Sequence, residues 1–333
     1  MKLLVVIVNY RVTDLTIDCL RSLEPEIAAL PKTRVAVCEN GTGPDAVEKL
    51  QRMIEQNGWG SWVSLTAIHP NRGFTGGNNV ILRAALESPQ PPEYLLLLNA
   101  DTIIQPHAFR TLVRFMDRHP DVGIAGSWLE YGDGTPQPNA YRFYTPVSEL
   151  LRGARLGVLS RLLARWEQTP PLPKVASPTD WVSGASMIVR RAVFAQAGLL
   201  DEDLYTYFDD IDLCLRARRA GWPTWYVPES RVVHLEGRTT GFRPFEQKPK
   251  RRSAYWFQAR RHFFLKNHGP LCTALVDAAW ITGFALWRVR RWIQRRPDTD
   301  PPHMLWDSIR HSVFCTGFKP RPVQNPALRS SAQ

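Results

Sequence analysis

Four consecutive leucines, Leu95–Leu98, end abruptly at Asn99-Ala100-Asp101-Thr102. An apolar run of that length, bounded by polar residues, predicts a strand buried on both faces, as at the centre of a parallel sheet. Parallel strands need crossover helices, so the surrounding chain must alternate the two. It does. Leu3–Val8, Arg34–Cys38 and Ser61–His69 read as strands. Helical spacing fills Asp14–Leu23, with Thr13 or Asp14 as N-cap, then Ala46–Gln56 and Asn78–Leu86. This rhythm predicts a doubly wound α/β sheet. The apolar stretch after Met1-Lys2 is too short for a signal peptide and lacks a small-residue cleavage site, so it reads as the first strand.

Further along, the pattern predicts a helix over His107–Asp117, a strand over Gly123–Leu129 and a loop or hairpin over Tyr131–Tyr144. A basic amphipathic helix is expected over Leu150–Trp166, then a Pro-rich connector to Pro178. Val182–Arg190 reads as a strand and Ala192–Ala197 as a short helix. Asp209–Ala220 is a helix stopped by Gly221, and Thr224–Val227 a final strand. The catalytic body is expected to end near Glu236–Arg238. A helical segment and a Pro-rich tail, expected to be disordered, follow it.

Charge separates these two regions. The chain of 333 residues carries +11 overall, but Arg231–Gln333 holds 19 Lys/Arg against 6 Asp/Glu, a surplus of +13. The first 230 residues are thus near neutral at −2. A basic end calls for an acidic partner that touches one end only. Its cations alternate with Trp280, Phe284, Trp287 and Trp292, which favours an anionic membrane surface over nucleic acid. Leu271–Ile293 is interrupted by Asp277 and by Arg288-Val289-Arg290-Arg291, so interfacial docking is expected rather than a span. The cysteines (19, 38, 214, 272, 315) are odd in number and have no paired metal-type spacing, as expected of reduced thiols in a cytosolic protein.

Four features could carry chemistry. An Asp at the carboxyl end of a buried strand lies where open α/β sheets bind ligands, and Asp101 suits Mg²⁺ or Mn²⁺ on phosphate oxygens, although Asn-x-Asp-Thr in isolation more often marks a plain turn. Asn71–Asn79 is a glycine-rich stretch before a helix, open to phosphate contact or to a tight turn. It lacks the ending of a P-loop and the glycine order of a dinucleotide fold. Asp209-Asp210-Ile211-Asp212 places three carboxylates in one helical turn, where capping explains two and mutual repulsion can raise a pKa towards a useful base. Taken alone, His234 reads more readily as a satisfied core or surface residue than as a ligand, and Trp181 as core rather than site.

Taken in order, these motifs resemble the inverting family 2 glycosyltransferases. The match runs through Val6–Tyr10, Glu39–Thr42, Asn71–Asn79 and Leu97–Thr102, then Val182–Arg191, Gly198–Glu202, Tyr207–Arg218, Ala220–Trp222, Val227-Pro228 and Val233-His234. Within that family the chain most resembles the bacterial rhamnosyltransferase-like branch, over about residues 1 to 240. Three positions depart from the usual pattern: Glu39 for Asp, Ala100 for Pro, and Asp209 for Glu. Each keeps the charge or the oxygen ligand, though Glu39 leaves the nucleobase open.

The resemblance implies a GT-A fold, a Rossmann-like, mostly parallel mixed sheet flanked by helices. It would occupy 1–238, with a nucleotide-sugar half (1–102) and an acceptor half (103–238), and 239–333 would be a basic helical extension. It implies Asn9, Tyr10, Glu39, Asn40, Asn71, Gly73, Phe74, Gly76, Gly77, Asn78 and Asn99 around the nucleotide, with Glu39 on the base. Asp101 and His234 would hold Mg²⁺ or Mn²⁺, Asp210 would be the base, and Trp181, Gly184, Asp209 and Asp212 would border the acceptor. The implied donor is dTDP-rhamnose, or else a UDP- or other dTDP-sugar. The implied acceptor is a lipid-linked saccharide at the inner membrane face. Two other readings remain at this point: a sugar-1-phosphate nucleotidyltransferase, which would carry a glycine-rich loop where Val8-Asn9-Tyr10-Arg11 has none, and a non-catalytic glycan binder.

Overall fold

The computed structural model describes residues 1–235 and 249–323. The expected end of the catalytic body near Glu236–Arg238 and the Pro-rich tail from 324 lie outside them. The chain forms two compact units: Met1–Ala140 with Leu172–Glu202 and Asp209–Thr240, and Tyr141–Pro171 with Asp203–Phe208 and Gly241–Gln333.

In chain order the elements are β1 (Leu3–Asn9), α1 (Thr13–Ala29), β2 (Thr33–Asn40), α2 (Pro44–Gln56), β3 (Val63–Ile68), α3 (Gly73–Leu86), β4 (Tyr94–Asn99), β5 (Thr102–Ile104) and α4 (Ala108–Arg118). Then come β6 (Ile124–Glu130), β7 (Pro136–Gln137), α5 (Pro146–Ala154), α6 (Gly157–Leu162), β8 (Ser177–Thr179), β9 (Ser186–Arg190) and α7 (Arg191–Ala197). The last are α8 (Asp209–Arg219), β10 (Thr224–His234), α9 (Ala254–Ile293), α10 (Met304–Arg310) and α11 (Val313–Thr316).

The first unit is built on one mixed sheet in the order β3-β2-β1-β4-β9-β6-β10-β5, with β7 paired to β6 and β8 to β10. The first four strands are parallel. Antiparallel β9 joins β4 to β6. Leu95–Leu98 are fully buried, and each contributes on the order of 2 kcal/mol of apolar transfer.

Several elements differ from the sequence reading. α1 runs on through Pro25 to Ala29, because Glu26 is buried and its carboxylate accepts the backbone N–H groups of His107 and Phe109 at the start of α4. The charge is met by a helix N-terminus, and that tertiary contact outweighs the proline. The residue before α1 is Val12, and neither Thr13 nor Asp14 caps it. The expected helix at Leu150–Trp166 breaks at Arg155 (φ 50°), where Arg155 N–H closes on Leu151 O. β9 begins only at Ser186, whereas β10 continues to His234 across an irregularity between Val227 and Arg231.

In the second unit α5 packs on α9 at a glycine pair. A Cβ on Gly283 would lie 2.6 Å from Leu150 O and 2.9 Å from Ala154 N; one on Gly153 would meet Trp280 O and Phe284 N at 2.9 Å. Beside this crossing, buried Arg260 pairs with Glu149 and Asp277, and Asp277 also accepts from Val313 N–H. Gly283→Leu should therefore force backbones apart and cost about 1–3 kcal/mol or more, read as a lowered melting temperature. Gly60→Ala, in open space, should leave the melting temperature nearly unchanged.

Candidate active site

The connections β1–α1–β2 and β2–α2–β3 step one way along the sheet, and β3–α3–β4 returns past β1. Open α/β sheets bind ligands where the order reverses, which here is beyond the carboxyl ends of β1 and β4. The register places Val8 beside Asn99 there.

Around those strand ends, side-chain amides knit the loops. Asn9 is fully buried, and its Oδ1 accepts from the Thr16 hydroxyl at 2.8 Å. Tyr10 lies under the Arg11 guanidinium, 5.0 Å from the ring centre, and Arg11 N–H donates to Thr42 Oγ1. The buried Glu39 carboxylate accepts from Gly41 N–H (3.2 Å) and Thr42 N–H (2.7 Å), which folds the turn after β2. Asn40 donates to Gly73 O and accepts from Arg72 N–H, while Asn71 Oδ1 accepts from Gly73 N–H at 2.7 Å.

Those bonds start α3 five residues earlier than the sequence pattern, so the glycine-rich stretch is helix rather than open loop. Gly77 packs the helix on β1: a Cβ there would lie 2.8 Å from Val8 Cγ1. Gly76 likewise faces Arg72 Cβ. On the same helix, Asn78 donates to Phe74 O, and its Oδ1 is buried without a hydrogen-bond partner. Asn79 is bonded both ways to the Leu200 backbone and donates to Glu202, which also pairs with Arg72 and Arg83.

The turn after β4 leads into β5, which pairs antiparallel with the end of β10 and sets His234 opposite Thr102. Leu235 N–H closes on Asp101 O at 2.9 Å. His234 Nε2 then lies 3.2 Å from Asn99 Nδ2 and 3.5 Å from Asp101 Oδ1, all three largely buried. On the other side of the ring, Nδ1 lies 3.0 Å from Gln137 Oε1. An amide N–H donor at Nε2 and a carbonyl acceptor at Nδ1 put the proton on Nδ1 and leave the Nε2 lone pair beside Asp101. One carboxylate oxygen and one imidazole nitrogen so placed are a donor set that Mn²⁺ accepts, with carboxylate preferred by Mg²⁺ as well.

The second acidic cluster opens α8. Asp210 is half-buried; its carboxylate accepts from Ile211 N–H (2.8 Å) and, less closely, Gly184 N–H (3.4 Å). Burial pushes its carboxyl up to about 6 against the lowering effect of those N–H groups. Burial and the Asp210 charge also hold Asp209 well above the usual carboxylate range. Asp212 is different. It is fully buried on the Arg216 guanidinium, which also donates to the Gly198 and Leu199 carbonyls, so it offers no surface to an acceptor. Gly184 faces Phe74, 3.6 Å from the site of an added Cβ, and Asn99 N–H donates to Ala185 O, which links the two acidic clusters through one strand end. Trp181 is 7% exposed, most of its ring within the protein.

Sequence reasoning missed Gln137 and Asn139, both in the Tyr131–Tyr144 loop. Asn139 donates to Ser127 O and accepts from Ser183 N–H at 2.6 Å, which holds the segment carrying Gly184. Beneath it the hydroxyls of Ser127, Ser186 and Ser230 tie β6, β9 and β10 together. Isolated Gln, Asn and Ser residues carry no periodic signal, so only the fold reveals these partners.

The model of the family described as "Glycosyltransferase like family 2" matches residues 2–255. N-acetylglucosaminyl-diphospho-decaprenol L-rhamnosyltransferase of Mycobacterium tuberculosis is 30% identical over 183 residues, 52% of this chain and 57% of that protein. The dTDP-rhamnosyl transferase RfbF of Shigella flexneri is 25% identical over 224 residues, 66% of this chain and 68% of that one. The chain thus spans just over half the length of the mycobacterial relative. Among solved structures, GalNAc-T7 with UDP, GalNAc and Mn²⁺ superimposes with a TM-score of 0.58 at 14% identity, over 93% of this chain and 54% of that one, which bears on the fold alone. The chain belongs to glycosyltransferase family 2 and has the GT-A fold that its motifs implied.

Proposed function

We propose that this protein is an inverting glycosyltransferase that moves a sugar, L-rhamnose from dTDP-rhamnose, onto a hydroxyl of a lipid-linked saccharide at the inner membrane face. The observation that carries the reading is the meeting of Asn99, Asp101 and His234 at the carboxyl ends of β4 and β10. Relatives named as rhamnosyltransferases support the sugar, and the mycobacterial one's name supports a diphospholipid acceptor. Without them, a UDP-sugar donor fits the same residues.

In this reading Asn9, Tyr10, Glu39, Asn40, Asn71 and the start of α3 frame the nucleotide, with fully buried Asn78 supporting them from within α3. Asp101 and His234 would hold Mg²⁺ or Mn²⁺, which when bound offsets the charge that grows on the departing diphosphate. Gln137 acts through His234: by accepting from Nδ1 it keeps the Nε2 lone pair turned to Asp101. Asp210 takes the proton of the acceptor hydroxyl. The hydroxyl oxygen bonds the anomeric carbon as the bond to the diphosphate oxygen breaks, and the nucleoside diphosphate leaves with that electron pair. One base and no protein nucleophile give inversion in a single displacement. Gly184 leaves room beside Asp210 for the acceptor, and Trp181 and Asp209 back that wall.

Asp210→Asn should leave nucleotide binding intact and lower turnover on the order of a hundredfold or more; near wild-type turnover would remove Asp210 from the mechanism. Asp210 must be ionised to accept the proton, so kcat/KM should climb with pH through about 6, level off above it, and lose that limb in Asp210→Asn. Gln137→Leu should weaken Mn²⁺-supported nucleotide binding by about 10–100-fold. Its ¹⁵N spectrum in the metal-free protein should show the proton no longer confined to Nδ1 of His234. Gln137→Glu, which keeps the acceptor oxygen, should retain binding.

A further inference from the structure

The long helix α9 of the second unit turns at Gly269 (φ 77°, ψ 176°) and Pro270. The arm beyond, Leu271–Ile293, extends about 34 Å at the helical rise. Its two faces are unlike. One is committed to protein: Val276, Trp280, Gly283, Phe284 and Trp287 are buried, with the Gly153–Gly283 crossing and the Arg260–Asp277 pair on the same side. The other is bare. Leu271, Leu275, Leu286, Val289 and Ile293 recur at helical spacing and are exposed, the first at 74%, the second at 52% and the third at 55%. Exposed Ala278 and Thr282 complete the row, so no charge falls on it from end to end.

A continuous apolar row of that length in water marks a docking face. The charges around it name the partner. The one carboxylate within the arm, Asp277, is buried on Arg260; at its far end Arg288 and Arg291 pair with Asp298, Arg290 donates to the Ala154 and Arg155 carbonyls, and exposed Arg295 and Arg296 add positive charge. Exposed Trp292 stands among them, an amphipathic ring suited to the headgroup level. By length and composition α9 could cross a bilayer. The arm's inner face argues otherwise, since crossing would carry the ion-paired Glu149, Arg152 and Arg260 into hydrocarbon.

We propose that the bare face of the Leu271–Ile293 arm docks the protein on an anionic bilayer surface, lying in the plane of the interface with its arginine-rich end at the lipid headgroups. This goes beyond the proposed reaction by assigning a specific face. The test needs no sugar donor, so its failure and the failure of the transferase reading are separable.

The full chain is sedimented with vesicles of phosphatidylcholine alone and of phosphatidylcholine with phosphatidylglycerol. Binding to the anionic vesicles should be at least tenfold stronger and should weaken with salt. It should fall tenfold or more in Leu271→Gln/Leu275→Gln/Leu286→Gln and in Arg295→Glu/Arg296→Glu, with unchanged circular dichroism. Alkaline carbonate should release the bound protein. Wild-type protein left in the supernatant with both vesicles, or a leucine variant that binds as wild type does, would overturn the proposal. So would retention through carbonate, the mark of a span, or a concentration-dependent dimer lost in the leucine variant, the mark of a second copy on this face.

Discussion

Three residue pairs hold the candidate site together. Ile104 with Val232, Ile103 with Val233 and Thr102 with His234 join a three-residue strand to the end of β10. That pairing brings a histidine 135 positions away to the amide of Asn99 and the carboxylate of Asp101. Side chains alternate along a strand, so a slip of one residue would turn His234 to the opposite face and bring Val233 in its place. The bond from Leu235 N–H to Asp101 O closes the same register from the other side. Gln137 then sets the ring's tautomer from β7. Each of these contacts depends on the one before it.

The same economy separates three neighbouring carboxylates on α8. Asp212 turns inward to Arg216, whose guanidinium also gathers the carbonyls before it, and so becomes part of the scaffold. Asp209 is buried with no cation of that kind and is held well above the carboxylate range. Asp210 alone keeps surface and two N–H donors, and stands at about 6. One turn of helix gives three environments, which is how neighbouring groups of one chemical type come to differ in proton affinity.

Much of this was legible before the fold. The Leu95–Leu98 run marked the central strand, and the strand–helix alternation marked the sheet, because those signals are periodic and local. The order of motifs marked the family. What was not legible came from tertiary partners. The first helix reads as ending at Leu23 until Glu26 is seen to meet the start of α4. Gly76 and Gly77 read as loop until Val8 and Arg72 are seen against them. Gln137 carries no sequence signal, since its use depends on a ring brought from another strand. In the basic region the charge pattern was visible, whereas the division of α9 into a packed and a bare face required Gly153 and Gly283 to meet.

The most direct test of the account is calorimetric titration of the full chain with dTDP, UDP and GDP, each with and without Mn²⁺, beside Asp101→Ala. The account predicts metal-dependent binding of dTDP, or else of UDP, abolished by the substitution. Binding that ignores the metal and survives Asp101→Ala would reduce Asp101 to a turn residue. Binding of none of the three would contradict the transferase reading itself.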